Sequence, residues 1–150
     1  MPLVVQPARV EDAENIRALM RRVIESAVVA AHRNDIVENV ESSVAVWLAR
    51  PSACVHRVAK LNGSIIGVVL VKDFWNLCSL FVEQSQQNSG VGTLLVKAAI
   101  AACEDRSPRK ALFLNAYPSA VGFYERLGFK FIDSATKQSP PGVQPMKLGL

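Results

Sequence analysis

The sequence has few of the residues that would place it in several large classes of protein. Only three of its 150 residues are cysteines and two are histidines, and no two cysteines have the CxxC spacing of a metal site or a redox pair. A disulfide framework and a zinc site both need paired or grouped ligands. We therefore expect neither of them, and no bound metal.

Long apolar runs are also missing. The longest, residues 65–71, is too short to cross a bilayer. The N-terminus has no basic segment followed by a long apolar run, as a secretion signal would have. We expect a cytoplasmic protein that does not contact a membrane.

Concentrated charge is equally scarce. The chain has 17 Lys and Arg against 13 Asp and Glu, a formal net charge of +4, with no basic run longer than two residues. Nucleic-acid binders usually carry a basic stripe, so we predict no nucleic-acid partner. The mild positive excess fits a cleft for a small anion, such as a phosphorylated cofactor. With 50% hydrophobic and 20% charged residues, the composition is typical of one globular domain, here residues 1–150.

Hydrophobic periodicity in the first half predicts a strand, two helices and then further strands. The strand covers residues 3–6, and the helices cover residues 13–31 and 36–48. Asn62-Gly63 predicts a tight hairpin turn. The strand after it, residues 65–71, is almost entirely apolar, so we expect it to be central in a sheet. A further strand covers residues 77–82.

The second half continues in the same way. A helix is expected over residues 91–102, a strand over 111–115, and a helix from Pro118 that ends at Gly128. Two more strands follow, at residues 129–132 and, as a last edge strand, at 146–150. This order of elements predicts a mixed-sheet α/β domain.

A polar loop with two glycines joins the strand 77–82 to the helix that follows. Backbone N–H groups at a helix start lack internal partners and attract anions, and glycines allow a ligand to come close. Side chains of Gln87, Ser89 and Thr93 would add donors. The loop is not a Walker A loop, because Thr93 follows Gly92 where a lysine is needed. It is not a dinucleotide fingerprint either, because Leu95 stands where a third glycine is needed.

Three motifs in the right order carry a family resemblance. The loop reads Gln87-x-x-Gly90-x-Gly92, the chain opens with Pro7-Ala8 and then Asp12, and Asn115 is followed by a segment that starts at Phe123-Tyr124 and ends at Gly128-Phe129. With these motifs the sequence resembles the GNAT superfamily of acyl-CoA-dependent N-acetyltransferases. The resemblance implies a mixed, mostly antiparallel twisted central sheet flanked by about four helices. It also implies that acetyl-CoA donates an acetyl group to a primary amine, which attacks directly in a ternary complex.

The resemblance further implies which residues hold the donor. The strand end would pair its backbone with the pantetheine arm, the glycine loop would hold the pyrophosphate, and Asn115 would bind near the pantetheine or the reacting end. The implied cofactor-binding residues are Leu80, Phe81, Val82, Gln87, Asn88, Ser89, Gly90, Val91, Gly92, Thr93, Asn115 and Phe123.

Tyr124 is the implied catalytic residue, close to the thioester sulfur. A phenol can protonate a leaving thiolate as a general acid, and a strand amide near Phe81 or Val82 would stabilise the oxyanion. A packing role competes with this one, because Tyr124 lies on the same helical stripe as Ala120 and Leu127.

The general base and the acceptor stay open at this stage. Residues 76–80 contain no carboxylate, and Glu83 and Asp73, on either side, fit solvated loop positions. We expect Cys78 to be an apolar filler and His56 to be structural. The alternative function is a regulatory domain that binds acetyl-CoA without turnover. The acceptor is a small-molecule or peptide amine, residues 28–35 and 136–145 are candidates for its rim, and the chain is a monomer or a homodimer.

Overall fold

The computed structural model describes residues 3–27, 33–132 and 143–150, with side chains for all of these except 26, 27 and 33–39. Its strands are β1 Leu3–Pro7, β2 Cys54–Leu61, β3 Ser64–Lys72, β4 Asn76–Val82, β5 Ala111–Ala116, β6 Lys130–Phe131 and β7 Gln144–Gly149. Its α-helices are α1 Ala13–Ala27, α2 Arg33–Ala49, α3 Val91–Cys103 and α4 Pro118–Arg126.

The seven strands form one sheet in the order β1-β2-β3-β4-β5-β7-β6. Every neighbouring pair is antiparallel except β4 and β5, which are parallel. The predicted fold class, a mixed and mostly antiparallel sheet flanked by about four helices, is confirmed. None of the helices in the described part of the chain is long and apolar enough to span a membrane.

The β2–β3 hairpin forms where the sequence predicts it. Asn62 and Gly63 have φ values of 54° and 82°, and a two-residue turn with two positive φ angles matches the right-handed twist of the strands. Residues 65–71 of β3 are all buried, as expected for a strand covered on both faces.

The last strand differs from its prediction. It pairs with β5 on one side and with β6 on the other, so it is an interior strand, and β6 is the edge. The prediction of an edge strand at residues 146–150 is therefore wrong. Met146 and Leu148 point into the core while the residue between them is exposed, and this alternation fits an edge or an interior position equally well.

Two hydrophobic cores lie on opposite faces of the sheet. Residues of α1 and α2 form one with β3, and residues of α3 and α4 form the other with β3, β5 and β7. Gly67 allows α3 to approach β3 closely. A Cβ at that position would lie 2.8 Å from Leu95 Cδ1 and 3.1 Å from Val91 Cγ1.

The parallel pair of strands is the irregular part of the sheet. One register pair, Asn76 with Phe113, joins β4 to β5, and the Phe113 N–H donates to the Trp75 carbonyl at 2.7 Å. Beyond that pair, no described residue forms a strand pair with the rest of β4 on this side. The gap between the C-terminal parts of β4 and β5 is called the splay below.

Candidate active site

The start of α3 is a left-handed turn open to the outside. Gly90 has a φ of 91° and precedes the helix, and a Cβ built on it would meet no atom within 4 Å. The first helical hydrogen bond runs from the Leu94 N–H to the Gly90 carbonyl at 3.1 Å. The N–H groups of Val91, Gly92 and Thr93 therefore have no helical acceptor, and this is the usual arrangement at an anion site.

Two of the three side chains expected as ligand donors bind backbone carbonyls of the protein. Gln87 Nε2 donates to the Val82 carbonyl at 3.1 Å, and the Ser89 hydroxyl donates to the Gln86 carbonyl. Asn88, between them, has a φ of 64°, a conformation that asparagine tolerates better than most residues. These residues hold the loop against β4, which leaves backbone N–H groups as its main donors.

Gly92 lies where three elements of the predicted site meet. A Cβ on Gly92 would lie 3.3 Å from Cζ of Phe123 on α4 and 3.8 Å from Cγ2 of Val82 on β4. The end of β4, the start of α3 and one face of α4 are thus in contact at a single point. Even a methyl group at position 92 would press on the Phe123 ring.

Backbone groups of β4 face the splay at alternate residues. The Glu83 N–H donates to the Ile66 carbonyl of the β3 side at 2.8 Å, and neighbouring residues of a strand direct their N–H and C=O groups to opposite sides. Val82 and Leu80 therefore present theirs to the splay, and Phe81 presents its own to β3, where it is paired with Val68. Leu80 therefore directs both its N–H and its C=O to the splay. Val82 offers its N–H there, because its carbonyl already accepts from Gln87 Nε2.

Asn115 lies on the other side of the splay. The Phe113 N–H points to β4, so the backbone of Asn115, two residues later, points the same way. The Asn115 side chain is exposed, and it lies on the face opposite to that of Leu112 and Leu114, which pack with α3 and α4.

Tyr124 is buried between two aromatic rings, with 8% of its surface exposed. Its ring centroid lies 5.1 Å from that of Phe123 and 5.5 Å from that of Phe129, both edge to face. Burial raises the pKa of its phenol well above the ordinary value. Among the described residues, none forms a hydrogen bond with the Tyr124 hydroxyl. The phenol is therefore protonated at neutral pH, and its hydroxyl is available to a ligand as far as the described residues are concerned.

The two carboxylates considered as general bases are both engaged with arginines. Glu83 Oε2 lies 2.8 Å from Arg22 Nη2 on α1, and Asp73 Oδ1 lies 3.4 Å from Arg50 Nη1. Asp73 also precedes β4, whose seven residues place it about 20 Å from the loop at the far end. No group of three or more metal-ligating side chains occurs in the portion of the chain that is described.

Cys78 and His56 are parts of the core, as the sequence suggests. Cys78 Sγ lies 3.6 Å from the Leu70 carbonyl oxygen, and burial raises the pKa of its thiol. The His56 ring is 3% exposed and packs edge to face on Trp47, with centroids 4.2 Å apart. The proposed acceptor rim lies mainly outside the described residues, which include only positions 33–35 and 143–145 of it.

The aromatic group at the base of the splay was not predicted from the sequence. Trp75 and Phe113 meet edge to face at 5.8 Å between centroids, and the Arg109 guanidinium carbon lies 3.5 Å from the centroid of the Trp75 ring. Two aromatic residues at the start of neighbouring strands were the only signal for it.

Known proteins share this architecture. A family model described as an acetyltransferase (GNAT) domain matches residues 49–150. A GCN5-related N-acetyltransferase from Rhodopseudomonas palustris superposes with a TM-score of 0.80 at 22% identity, over 100% of this chain and 97% of that one. The PaiA N-acetyltransferase of Thermoplasma acidophilum, in complex with coenzyme A, gives 0.78 at 14% identity, over 100% of both chains. The ribosomal-protein-S18-alanine N-acetyltransferase of Escherichia coli gives 0.71 at 16% identity, over 99% and 94%. No curated protein sequence matches this chain.

The fold and the site together define this protein as an acetyltransferase. The family match extends from the end of α2 to the last residue, and the chain belongs to the GNAT acetyltransferase family. The structural neighbours, all at low sequence identity, show the same fold.

Proposed function

We propose that this protein transfers an acetyl group from acetyl-CoA to a primary amine, by direct attack of the amine in a ternary complex. The observation that carries the proposal is the position of the splay beside the start of α3. The N–H groups of Leu80 and Val82, which have no strand partner among the described residues, lie next to the N–H groups of the helix start, and Phe123 joins the two regions through its contact with Gly92.

This arrangement can bind both the pyrophosphate and the pantetheine arm of acetyl-CoA. The N–H groups after Gly90 would bind the pyrophosphate, since a helix start attracts anions. The amides of Leu80 and Val82 would pair with the pantetheine arm in the manner of an added strand. A homologous fold, that of the Thermoplasma PaiA enzyme, has coenzyme A bound, which supports the same donor here.

In the reaction, the amine nitrogen forms a bond to the thioester carbonyl carbon and the carbon–sulfur bond breaks. A β4 amide in the splay would stabilise the oxyanion that develops. The Tyr124 hydroxyl would give its proton to the departing thiolate, a step that contributes about 10²–10⁴-fold in general acid catalysis. The phenol carries the proton for this step at neutral pH, and burial, which raises its pKa, makes it a weaker donor than a free phenol.

The amine must lose a proton before or during attack. The strand contains no carboxylate, and both nearby acids are paired with arginines. We therefore propose that water takes the proton. The rate should then follow the fraction of acceptor that is already neutral, and kcat/KM should rise with pH towards the pKa of the acceptor amine.

The alternative is a regulatory domain that binds acetyl-CoA and does not turn it over. Release of free thiol from acetyl-CoA, measured over a panel of primary amines, separates the two. Thiol release that depends on the amine supports the transferase, and tight donor binding without release supports the regulatory domain. A cytoplasmic location stays a prediction from the sequence.

Tyr124→Phe tests the proposed acid. Because no described residue bonds the hydroxyl, the variant should keep the Tm and the acetyl-CoA affinity of the parent while kcat falls by about 10²-fold or more. A variant with the parent kcat would show that Tyr124 only packs in the core and that the acid lies elsewhere.

A further inference from the structure

A row of cationic side chains lies on the outer sheet face near Asn115. Leu112 and Leu114 of β5 point into the core with α3 and α4, so Phe113, between them, points to the opposite face. In the same way Lys147 lies between Met146 and Leu148 of the core. Phe113 and Lys147 are register partners across β5 and β7, and this face continues to Lys130 on β6.

Two lysines in this row face each other directly. Lys130 and Lys147 are register partners in the antiparallel β6–β7 pair, and both are exposed. Like charges directly opposite each other destabilise a sheet. Within the described ranges, no carboxylate forms an ion pair with either lysine. An anion bound between these lysines would relieve the repulsion.

Arg109 adds a third cation in a fixed orientation. Its guanidinium carbon lies 3.5 Å from the ring centroid of Trp75 and 5.4 Å from that of Phe113. Stacking holds the guanidinium plane against the rings and leaves its N–H edges free to bind a carboxylate or a phosphate. Phe113 is also the register partner of Lys147, so the guanidinium lies on the β4 side of the Phe113 ring and the lysine pair lies on its β7 side.

The row begins at the candidate active site. Asn115 at the splay is the register partner of Pro145, so Lys147 is its diagonal neighbour on the same face. Diagonal neighbours in such a pair are about 7–8 Å apart. A ligand with its reacting end at Asn115 and an anionic end a few bonds away would span this distance.

We propose that the acceptor amine carries an anionic group, a carboxylate or a phosphate, that binds to Lys147 and Lys130, with Arg109 adding positive charge on the other side of Phe113. The proposal rests on the proposed acetyl transfer, because the amine at the other end of the acceptor is the group acetylated. The site selects its substrate by charge, so selection weakens as salt screens the lysines.

The test compares three primary amines of similar length: 6-aminohexanoate, its neutral analogue 6-aminohexanamide, and 5-aminopentyl phosphate. Parent protein should acetylate the anionic amines with a kcat/KM at least about tenfold above that of the amide, a difference of about 1.4 kcal/mol. The double variant Lys130→Gln/Lys147→Gln should lose this preference through KM and keep its activity on the amide. Lys97→Gln is the matched control, because Lys97 is an exposed lysine on α3, on the other face of the sheet.

A second measurement keeps this proposal separate from acetyl transfer itself. Calorimetric titration of the protein loaded with coenzyme A, using 6-acetamidohexanoate and 6-acetamidohexanamide, needs no turnover. Tighter binding of the anionic compound, lost in the double variant, supports the anion site. If no amine is acetylated in that case, only the proposed acetyl transfer is refuted. Equal binding of the two, or equal kcat/KM values for charged and neutral amines, would overturn the anion site and leave acetyl transfer standing. The ratio of the phosphate and carboxylate values identifies which anion the site prefers.

Discussion

Replacing Gly90 by glutamate perturbs the proposed pyrophosphate site, and Gly63 provides a matched control. The two glycines have similar left-handed backbones, with φ values of +91° and +82°, and a Cβ on either would meet no atom within 4 Å. An L residue in this conformation costs about 1 kcal/mol. Gly90→Glu and Gly63→Glu should therefore lower Tm alike, by about 2–4 °C.

Donor binding should separate the two variants. A carboxylate about 4 Å from a phosphate charge is repelled by about 4 kcal/mol at an effective dielectric constant of about 20. Water and salt at this exposed loop reduce the repulsion, so we expect acetyl-CoA to bind Gly90→Glu at least about tenfold more weakly than the parent. Gly63→Glu should bind it as the parent does.

The assay is calorimetric titration with acetyl-CoA, after thermal unfolding has shown that both variants are folded. Gly90→Ala, which carries the backbone cost without the charge, should stay close to the parent affinity. Equal Kd values for Gly90→Glu and Gly63→Glu would refute the assignment of the pyrophosphate to the start of α3.

Two further predictions concern the titratable groups. Burial lowers the pKa of His56 from 6.5 to about 4, so the folded state keeps the ring neutral, and stability present above pH 6.5 is lost as the pH falls towards 4. Between about pH 7.5 and pH 5 the free energy of unfolding should fall by about 2 kcal/mol more in the parent than in His56→Phe. Denaturant titrations at several pH values would measure the difference. An equal fall with pH in both proteins would show that His56 does not drive the change. Glu83→Gln breaks a partly exposed ion pair with Arg22 and should cost less than about 1 kcal/mol. Its pH–rate profile should match that of the parent, and the loss of an acidic limb would instead identify Glu83 as the base.

Local patterns predicted much of the fold because the physics behind them is local. Asn62-Gly63 adopts the positive φ angles of a hairpin turn, and Gly128, with a φ of 102°, follows α4 as expected of a helix end. The position of β7 was not predictable in this way. Alternation at Met146 and Leu148 shows which side chains face the core, but strand order depends on which neighbour each strand meets along its length.

The sequence predicted the location of the candidate site better than the hydrogen bonds within it. The glycines of the loop indicated an anion site. The hydrogen bonds of Gln87 to β4 and of Ser89 to the loop depend on backbone carbonyls that no motif reveals. Which amides of β4 face the splay depends on the register with β3, so a prediction from the sequence could not separate Phe81 from Leu80 and Val82. Tyr124 stayed ambiguous because a packing residue and a buried acid occupy the same helical stripe.

The central claim is that the splay and the α3 start together transfer an acetyl group to an amine. The most direct test incubates the parent protein with acetyl-CoA and the three matched amines, follows release of free thiol, and locates the acetyl group by mass spectrometry. We expect thiol release that requires both protein and amine, with the acetyl group on the amine nitrogen. Tight binding of acetyl-CoA with no acetylated amine in this series or in a broad panel of primary amines would contradict it and leave a domain that binds the donor without transferring it.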